Sequence, residues 1–235
     1  PWRIPAQATR IGSELLVTLG TAQHLASSSA RHGPEGPSSL STQATLASAH
    51  RRIADHLARM IVATTGHRPS EALFEITLAD IDLDSGAVLF RDKRHDLAHD
   101  PRLACAPRIV VEQIRAYLRH VHHLRHRMPS LSSGLAAVLH GERPLLFDLN
   151  DAGEMVQPSL AQVAARSPQE WSQLPWNWSR TWIRTSAVES GAPAFLIAAQ
   201  LGHFDSIGYP YSNQSPTDPL DVVARTQPWL DKLAK

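Results

Sequence analysis

The sequence predicts a mainly α-helical fold with one small antiparallel β-sheet, an α+β arrangement. Apolar residues recur at helical spacing over 44–65 and 107–127 and again beyond 176. Strand-like alternation is confined to one stretch, LADIDLDSGAVLF, which a DSG turn interrupts. No internal repeat and no strand, glycine loop and helix succession of the dinucleotide-binding kind breaks that pattern.

Residues 1–25 are a short N-terminal segment. Residues 26–42, ASSSARHGPEGPSSLST, have the Ser/Gly/Pro composition of a linker, so the main domain is expected over 43–235. Its first helix carries Ile53, Leu57, Met60 and Ile61 on one face, with Arg51, Arg52 and Arg59 between them. A second helix is expected to open at Pro69 or Ser70, because proline suits a first helical turn and Ser70-Glu71 favour a helix start. The alternating stretch that follows, through LACAP, reads as two or three antiparallel strands. Residues 107–127 then form a strongly periodic helix, with Ile109, Ile114, Leu118 and Val121 expected on its buried side.

Residues 150–175 read as polar and irregular, with a short helix at SLAQVAARS. From Trp176 helices dominate: WNWSRTWIRTSAVESG, PAFLIAAQLGH and a tail helix at DPLDVVARTQPWLDKLAK. Trp176, Trp178 and Trp182 crowd the first of these at a spacing that favours core packing over base stacking.

A chain of 235 residues with 43% hydrophobic content can bury a sizeable core, as one moderate domain with a short appendage. Its formal net charge of +1 announces no global basic field, but arginine far outnumbers lysine, the preference expected where bidentate phosphate contacts matter. The single cysteine, Cys105, excludes an internal disulfide framework and a cysteine-based zinc site, and points to a cytosolic compartment. No apolar run approaches the roughly 20 residues that span a bilayer, and PWRIPAQATRIG lacks the apolar stretch of a signal peptide, so no membrane partner is expected. A start at Pro1 rather than Met reads as a fragment or processed chain.

The chemistry-bearing residues are spread along the chain: Arg68 in ATTGHRPSEAL, Arg180 in NWSR, His203 in QLGHFD, and Tyr209 and Tyr211 in GYPYSNQSP. Scattered basic residues followed by a late tyrosine are what strand exchange through a phosphotyrosine needs. Over roughly residues 46–215 the chain resembles the tyrosine recombinase (phage integrase) family, with its T-G-x-R-x-S-E, H-x-x-R and L-G-H boxes and a nucleophilic tyrosine. The second box departs from the pattern: Asn177 stands where histidine usually sits, and asparagine can donate a hydrogen bond to phosphate but cannot shuttle a proton. Of the three tyrosines, Tyr117 falls on a periodic helix and reads as structural. Tyr211 follows His203 by eight positions and Tyr209 by six, which makes Tyr211 the nearer fit and Tyr209 the alternative.

The resemblance implies a mainly helical catalytic domain that cuts DNA without metal or cofactor. Arg68 and Arg180 would grip nonbridging phosphate oxygens, because a guanidinium stays charged and forks onto two oxygens. Asn177 and His203 would donate to phosphate, and Lys93 in FRDKRHD, on the turn after a strand, would protonate the departing 5′ oxygen; Arg94 beside it is the competing phosphate contact. Glu71 would either orient Arg68 or act as an N-terminal helix acid. The resemblance further implies double-stranded DNA as partner, a homotetramer on two duplexes, a bacterial cytoplasmic setting at the nucleoid, and an upstream clamp domain that residues 1–42 are too short to provide.

Two rival readings stay open: a non-cleaving DNA-binding or regulatory partner of a competent recombinase, and a type IB topoisomerase-like activity that reseals the original strand. The run RHVHHLRHR, with His120, His122, His123 and His126, reads as a basic solvated helix face rather than a metal site, since no carboxylate or thiol converges on it. No nucleophile elbow or phosphate-cradling glycine loop supports a hydrolase or nucleotide-binding reading.

Overall fold

The computed structural model describes residues 39–90, 102–167, 178–202 and 218–233. Its longest element, α1 (Ser39–Thr65), begins upstream of the boundary expected at residue 43, inside the stretch read as linker. Ile53, Ala54, Leu57, Ala58 and Ile61 are buried along one of its faces, the spacing that earns a helix its tertiary stability. Gly66, at φ +65°, ends it in the left-handed conformation that glycine adopts without penalty.

The helix expected at Ser70 is instead a single 3-10 turn, Glu71–Glu75, which plugs Leu73 and Phe74 into the core. A second such turn, Leu78–Asp80, is closed by Thr77, whose main-chain N–H and hydroxyl both donate to Asp80 Oδ2, at 3.0 and 2.9 Å. The expected sheet follows as β1 (Ile81–Asp82), β2 (Ala87–Phe90) and β3 (Arg102–Cys105), antiparallel in that order. The register sets Val88 opposite Ala104 and Phe90 opposite Arg102. Period-two alternation then sorts the side chains. Val88, Phe90 and Ala104 join the main core, while Ala87 and Cys105 face the opposite way, onto Val223 and Leu230.

Helix α2 (Arg108–Arg127) buries Val110, Val111, Ile114, Tyr117, Val121 and Leu124. Of the four residues expected on its inner face, Ile114 and Val121 are buried and Leu118 packs partly buried against the core, but Ile109 is exposed. Two elements were not anticipated, α3 (Ser132–Leu139) and a hairpin of β4 (Asp148–Leu149) with β5 (Met155–Val156). The short helix expected near SLAQVAARS is α4 (Leu160–Ala165), opened by a capping box between Ser159 and Gln162. Arg166, just past its end, forks onto both oxygens of Asp55, each at 2.7 Å, and reaches Asp148 at 2.9 Å, pinning α4 to α1 and β4.

The last three helices are α5 (Trp178–Glu189), α6 (Ala194–Leu201) and α7 (Pro219–Leu233). Helix α1 packs against α2, β4 and α5, while α7 covers the outer face of β3 and touches α6. Trp182 packs with Ile183, Ala187, Ile197 and Leu201, as its spacing suggested. Tyr117 is structural: it is buried and donates to Leu145 O at 3.0 Å. Among the described residues no helix is long and apolar enough to cross a membrane.

The histidine run divides. His122, His123 and His126 are exposed, but His120 is buried and pairs with the buried His50, correcting the expectation of a wholly solvated face. His50 Nε2 lies 2.9 Å from Phe147 O and its Nδ1 lies 3.2 Å from His120 Nε2. A carbonyl can only accept, so His50 carries its proton on Nε2 and receives one from His120 on Nδ1, which requires neither ring to be charged. Burial, with His120 nearby, lowers the pKa of His50 to about 3; burial, with His123 nearby, lowers that of His120 to about 4. In the unfolded chain both titrate near 6.5. Between pH 6.5 and about 4 the unfolded state therefore binds more protons, and stability is lost as pH falls. Denaturant titrations from pH 7 to 4 should show a loss of ~1.4 kcal/mol per pH unit for each such group. His120→Gln should be less stable at pH 7 yet less steeply pH-dependent; an unchanged slope would remove the pair as its source.

Candidate functional site

Two helix C-termini meet in this fold. The last carbonyls of a helix have no partner inside it and form the negative end of its dipole, so bringing two such ends together requires outside donors. Helix α1 gives way to Gly66 and α6 to Gly202, both left-handed, at φ +65° and +62°. They lie so close that a Cβ on Gly66 would stand 2.7 Å from Leu201 Cδ2. Arg180 supplies the donors: Nη1 bonds Gly66 O at 2.8 Å and Nη2 bonds Leu201 O at 2.6 Å. It sits in the first turn of α5, where a cation opposes that helix's own dipole, so its position answers the other two helices.

Gln200 adds a second tie. Its Nε2 donates to Thr65 O at 3.1 Å and to Cys105 O at 2.8 Å, and its Oε1 accepts from Cys105 N at 2.9 Å. The side-chain amide thus completes the outer edge of β3 as a neighbouring strand would. Arg102, at the start of β3, adds a third: Nη1 donates to Gln200 O at 2.7 Å and Nη2 stands 3.4 Å from His67 Nδ1. The His67 ring stacks on Phe90, with centroids 4.3 Å apart and planes 15° from parallel, and Arg102 Cζ lies 4.9 Å from the same Phe90 centroid.

These contacts draw together Arg180 and described residues that border several of the other sequence-predicted positions. Arg68 is exposed, one residue beyond His67 on the loop that leaves α1. Arg180 is buried at the junction. The 91–101 connection, which carries Lys93, leaves from Phe90 and returns at Arg102, both against His67. The chain passes from Gly202 directly to His203. Lys93, Asn177, His203, Tyr209 and Tyr211, with Arg94 and Trp176, lie outside the described residues.

Of the two roles expected of it, Glu71 takes that of an N-terminal helix acid, in the first turn of the 3-10 helix Glu71–Glu75, and both its oxygens accept from Leu160 N, at 3.1 and 3.3 Å, at the start of α4. Cys105 is buried, and burial pushes its thiol well above the ordinary cysteine range, so it is no nucleophile. Among the described residues no group of three or more His, Cys, Asp or Glu side chains is arranged to hold a metal ion. Sequence reasoning missed Gln200, His67 and Arg102. The first two stand inside the AAQLGH and TGHRPSEA boxes, where each passed as a variable position; Arg102 had no motif at all.

No protein family, curated protein or solved structure matches the chain.

The close approach at Gly202 can be measured. A Cβ there would stand 2.5 Å from Arg102 Cδ, whereas Gly191, at φ +74°, has nothing within 4 Å of its notional Cβ. Gly191→Ala should cost only the left-handed strain, about 1–2 kcal/mol. Gly202→Ala should cost clearly more in paired thermal denaturations, and equal losses would show that Arg102 does not press on that turn.

Proposed function

We propose that this chain is a metal-independent DNA recombinase of the tyrosine type, acting through a 3′-phosphotyrosyl intermediate. The observation that carries the reading is the junction at the ends of α1 and α6. Hydrogen bonds from Arg180, Gln200 and Arg102 tie the end of α1 and the start of the Arg68 loop, the first residue of β3, the start of α5 and the end of α6 to one another. The residues so tied, Gly66 and His67, Arg102, Arg180, and Gln200 and Leu201, are far apart in sequence, and each stands in or within three residues of a position that the resemblance makes functional or borders the connection that carries one. The α+β architecture, with a three-stranded antiparallel sheet beside the helices, is compatible with the same reading.

In this scheme Tyr211, or Tyr209 in its place, gives up its hydroxyl proton to solvent and attacks the scissile phosphorus through the phenolic oxygen. The phosphorus–oxygen bond to the 5′ carbon's oxygen breaks, and Lys93 delivers the proton which that oxygen needs. Arg68, Arg180, His203 and Asn177 face the charge that develops on the nonbridging oxygens. The resulting ester keeps the bond energy, so a partner strand's 5′ hydroxyl can reverse the step and exchange DNA. The partner is duplex DNA, with a homotetramer bridging two duplexes in a bacterial nucleoid setting.

One observation favours a second reading, a non-cleaving DNA-binding or regulatory partner of a competent recombinase. The Arg180 guanidinium is buried and donates to two main-chain carbonyls, a duty that explains its presence without any phosphate.

The two readings separate on a nicked suicide substrate incubated with chelator and resolved on a denaturing gel. The proposal expects a covalent adduct that Tyr211→Phe abolishes and Tyr209→Phe leaves. Arg68→Ala, at an exposed position, should slow adduct formation by roughly 10²–10³-fold with the fold intact. Salt-sensitive DNA binding with no adduct in any form of the chain would establish the second reading.

A further inference from the structure

We infer that Arg102 is a positioning residue for this site, setting the Arg68 loop and the Gly202 turn in fixed relation; the inference rests on the DNA-cleaving reading above. Arg102 is 3% exposed, on the face of β3 that looks toward the main core, across from Phe90. A cation in such a place costs desolvation, and opposite an aromatic ring an apolar side chain would serve the core as well. Its contacts show what the charge is used for. Nη1 and Nη2 reach Gln200 O and His67 Nδ1, beside the Gly202 turn and the Arg68 loop.

A guanidinium can only donate, so His67 Nδ1 accepts from Arg102 and the ring holds its proton on Nε2. That proton faces Ser70 Oγ at 3.5 Å. The line from Gln200 O through Arg102 and His67 to Ser70 therefore brackets Arg68, with one anchor just before it and one just after. Phe90, stacked flat on His67, keeps the imidazole in the plane that receives the bond. On the other side the Arg102 stem lies so close beneath Gly202 that a Cβ there would meet Cδ at 2.5 Å. One side chain thus touches both His67, next to Arg68, and the Gly202 turn that ends α6. Arg180 and Gln200 already satisfy the carbonyls of Thr65, Gly66 and Leu201, so the helix ends do not depend on Arg102 for those bonds.

Loss of Arg102 should loosen the placement of Arg68 without removing its charge. DNA would still bind, and the chemical step would suffer, since a displacement of about 1 Å at a reacting group costs up to ~10²-fold.

The test compares wild type with Arg102→Gln and Arg102→Lys, the latter keeping the cation but not the fork. The readouts are duplex affinity, single-turnover adduct formation at saturating DNA, and amide hydrogen exchange. The proposal expects adduct formation to fall by roughly 10- to 100-fold with the affinity nearly unchanged. Exchange should quicken at residues 66–70 and 200–202 and stay unchanged in the middle of α2. Lysine should restore little of the rate.

If Arg102→Gln does not fold, His67→Asn cuts the same line at its other end and should give the same exchange signature. Unchanged exchange at 66–70, exchange quickened equally throughout α2, or affinity falling in step with rate would each overturn the assignment. A wild type that forms no adduct would remove the DNA-cleaving reading alone, and the exchange pattern would then decide whether Arg102 positions the loop.

Discussion

The constraint on which this structure turns is the meeting of two helix C-termini at the edge of a small sheet. The ends of α1 and α6 bring carbonyl oxygens, each with partial negative charge, together among buried residues. Arg180 and Arg102 provide the opposing charge and Gln200 provides the neutral donors, and between them they serve Thr65, Gly66, Gln200 and Leu201. A hydrogen bond to a charged group contributes about 1.5–3 kcal/mol, and removing one partner of a buried charged contact costs ~3–5 kcal/mol. Because Arg102 bonds the backbone of the residue whose side chain bonds Thr65 and Cys105, these contributions belong to one network and do not add independently.

The rest of the molecule is arranged so that this junction can exist. The sheet separates two apolar clusters: α1, α2 and α3 on the side of Val88 and Phe90, and α7 on the side of Ala87 and Cys105. With α7 covering one face, the remaining edge of β3 is open only toward α6, and the amide of Gln200 closes it. Farther along α1, Arg166 and the His50–His120 pair fix that long helix against β4 and α2, so its end is delivered at a defined height. Glycine is needed at both helix ends for two reasons at once: the left-handed turn, and the absence of a side chain where Leu201 and Arg102 press in.

Much of this was legible in the sequence where a strong period ran for many residues. Helices α1, α2, α5, α6 and α7 and the three-stranded sheet follow from apolar spacing and one turn signal. What escaped was short or set by tertiary contact. The β4–β5 hairpin has strands of two residues each, too brief for any alternation to register, and the segment after Ser70 became a 3-10 turn because Leu73 and Phe74 had to enter the core. Ile109 misled because its helix begins beside it, so that one residue's shift turns it to solvent. At the junction, the spacing of the motif boxes is silent on hydrogen bonding. Arg180 carries the same letter whether it grips a phosphate or a carbonyl, and the pairing of Arg102 with His67 depends on strand register, which no local pattern encodes.

The buried state of Arg180 need not count against a catalytic role. Transition-state charge is best stabilised by groups that do not reorganise when it appears, and an arginine tied to two carbonyls of rigid helix ends is held still. The same ties in a non-cleaving protein would serve stability alone, so anchoring by itself does not distinguish the two readings. The loop from Gly66 to Ser70 bears on the question more directly. Its exposed Arg68 is flanked by a buried histidine locked between Phe90 and Arg102. A buried histidine must find partners for stability alone, and here they are the two strand residues on either side of the 91–101 connection. Under the catalytic proposal that order would serve a further purpose, holding the next residue, Arg68, where a reacting phosphate needs it.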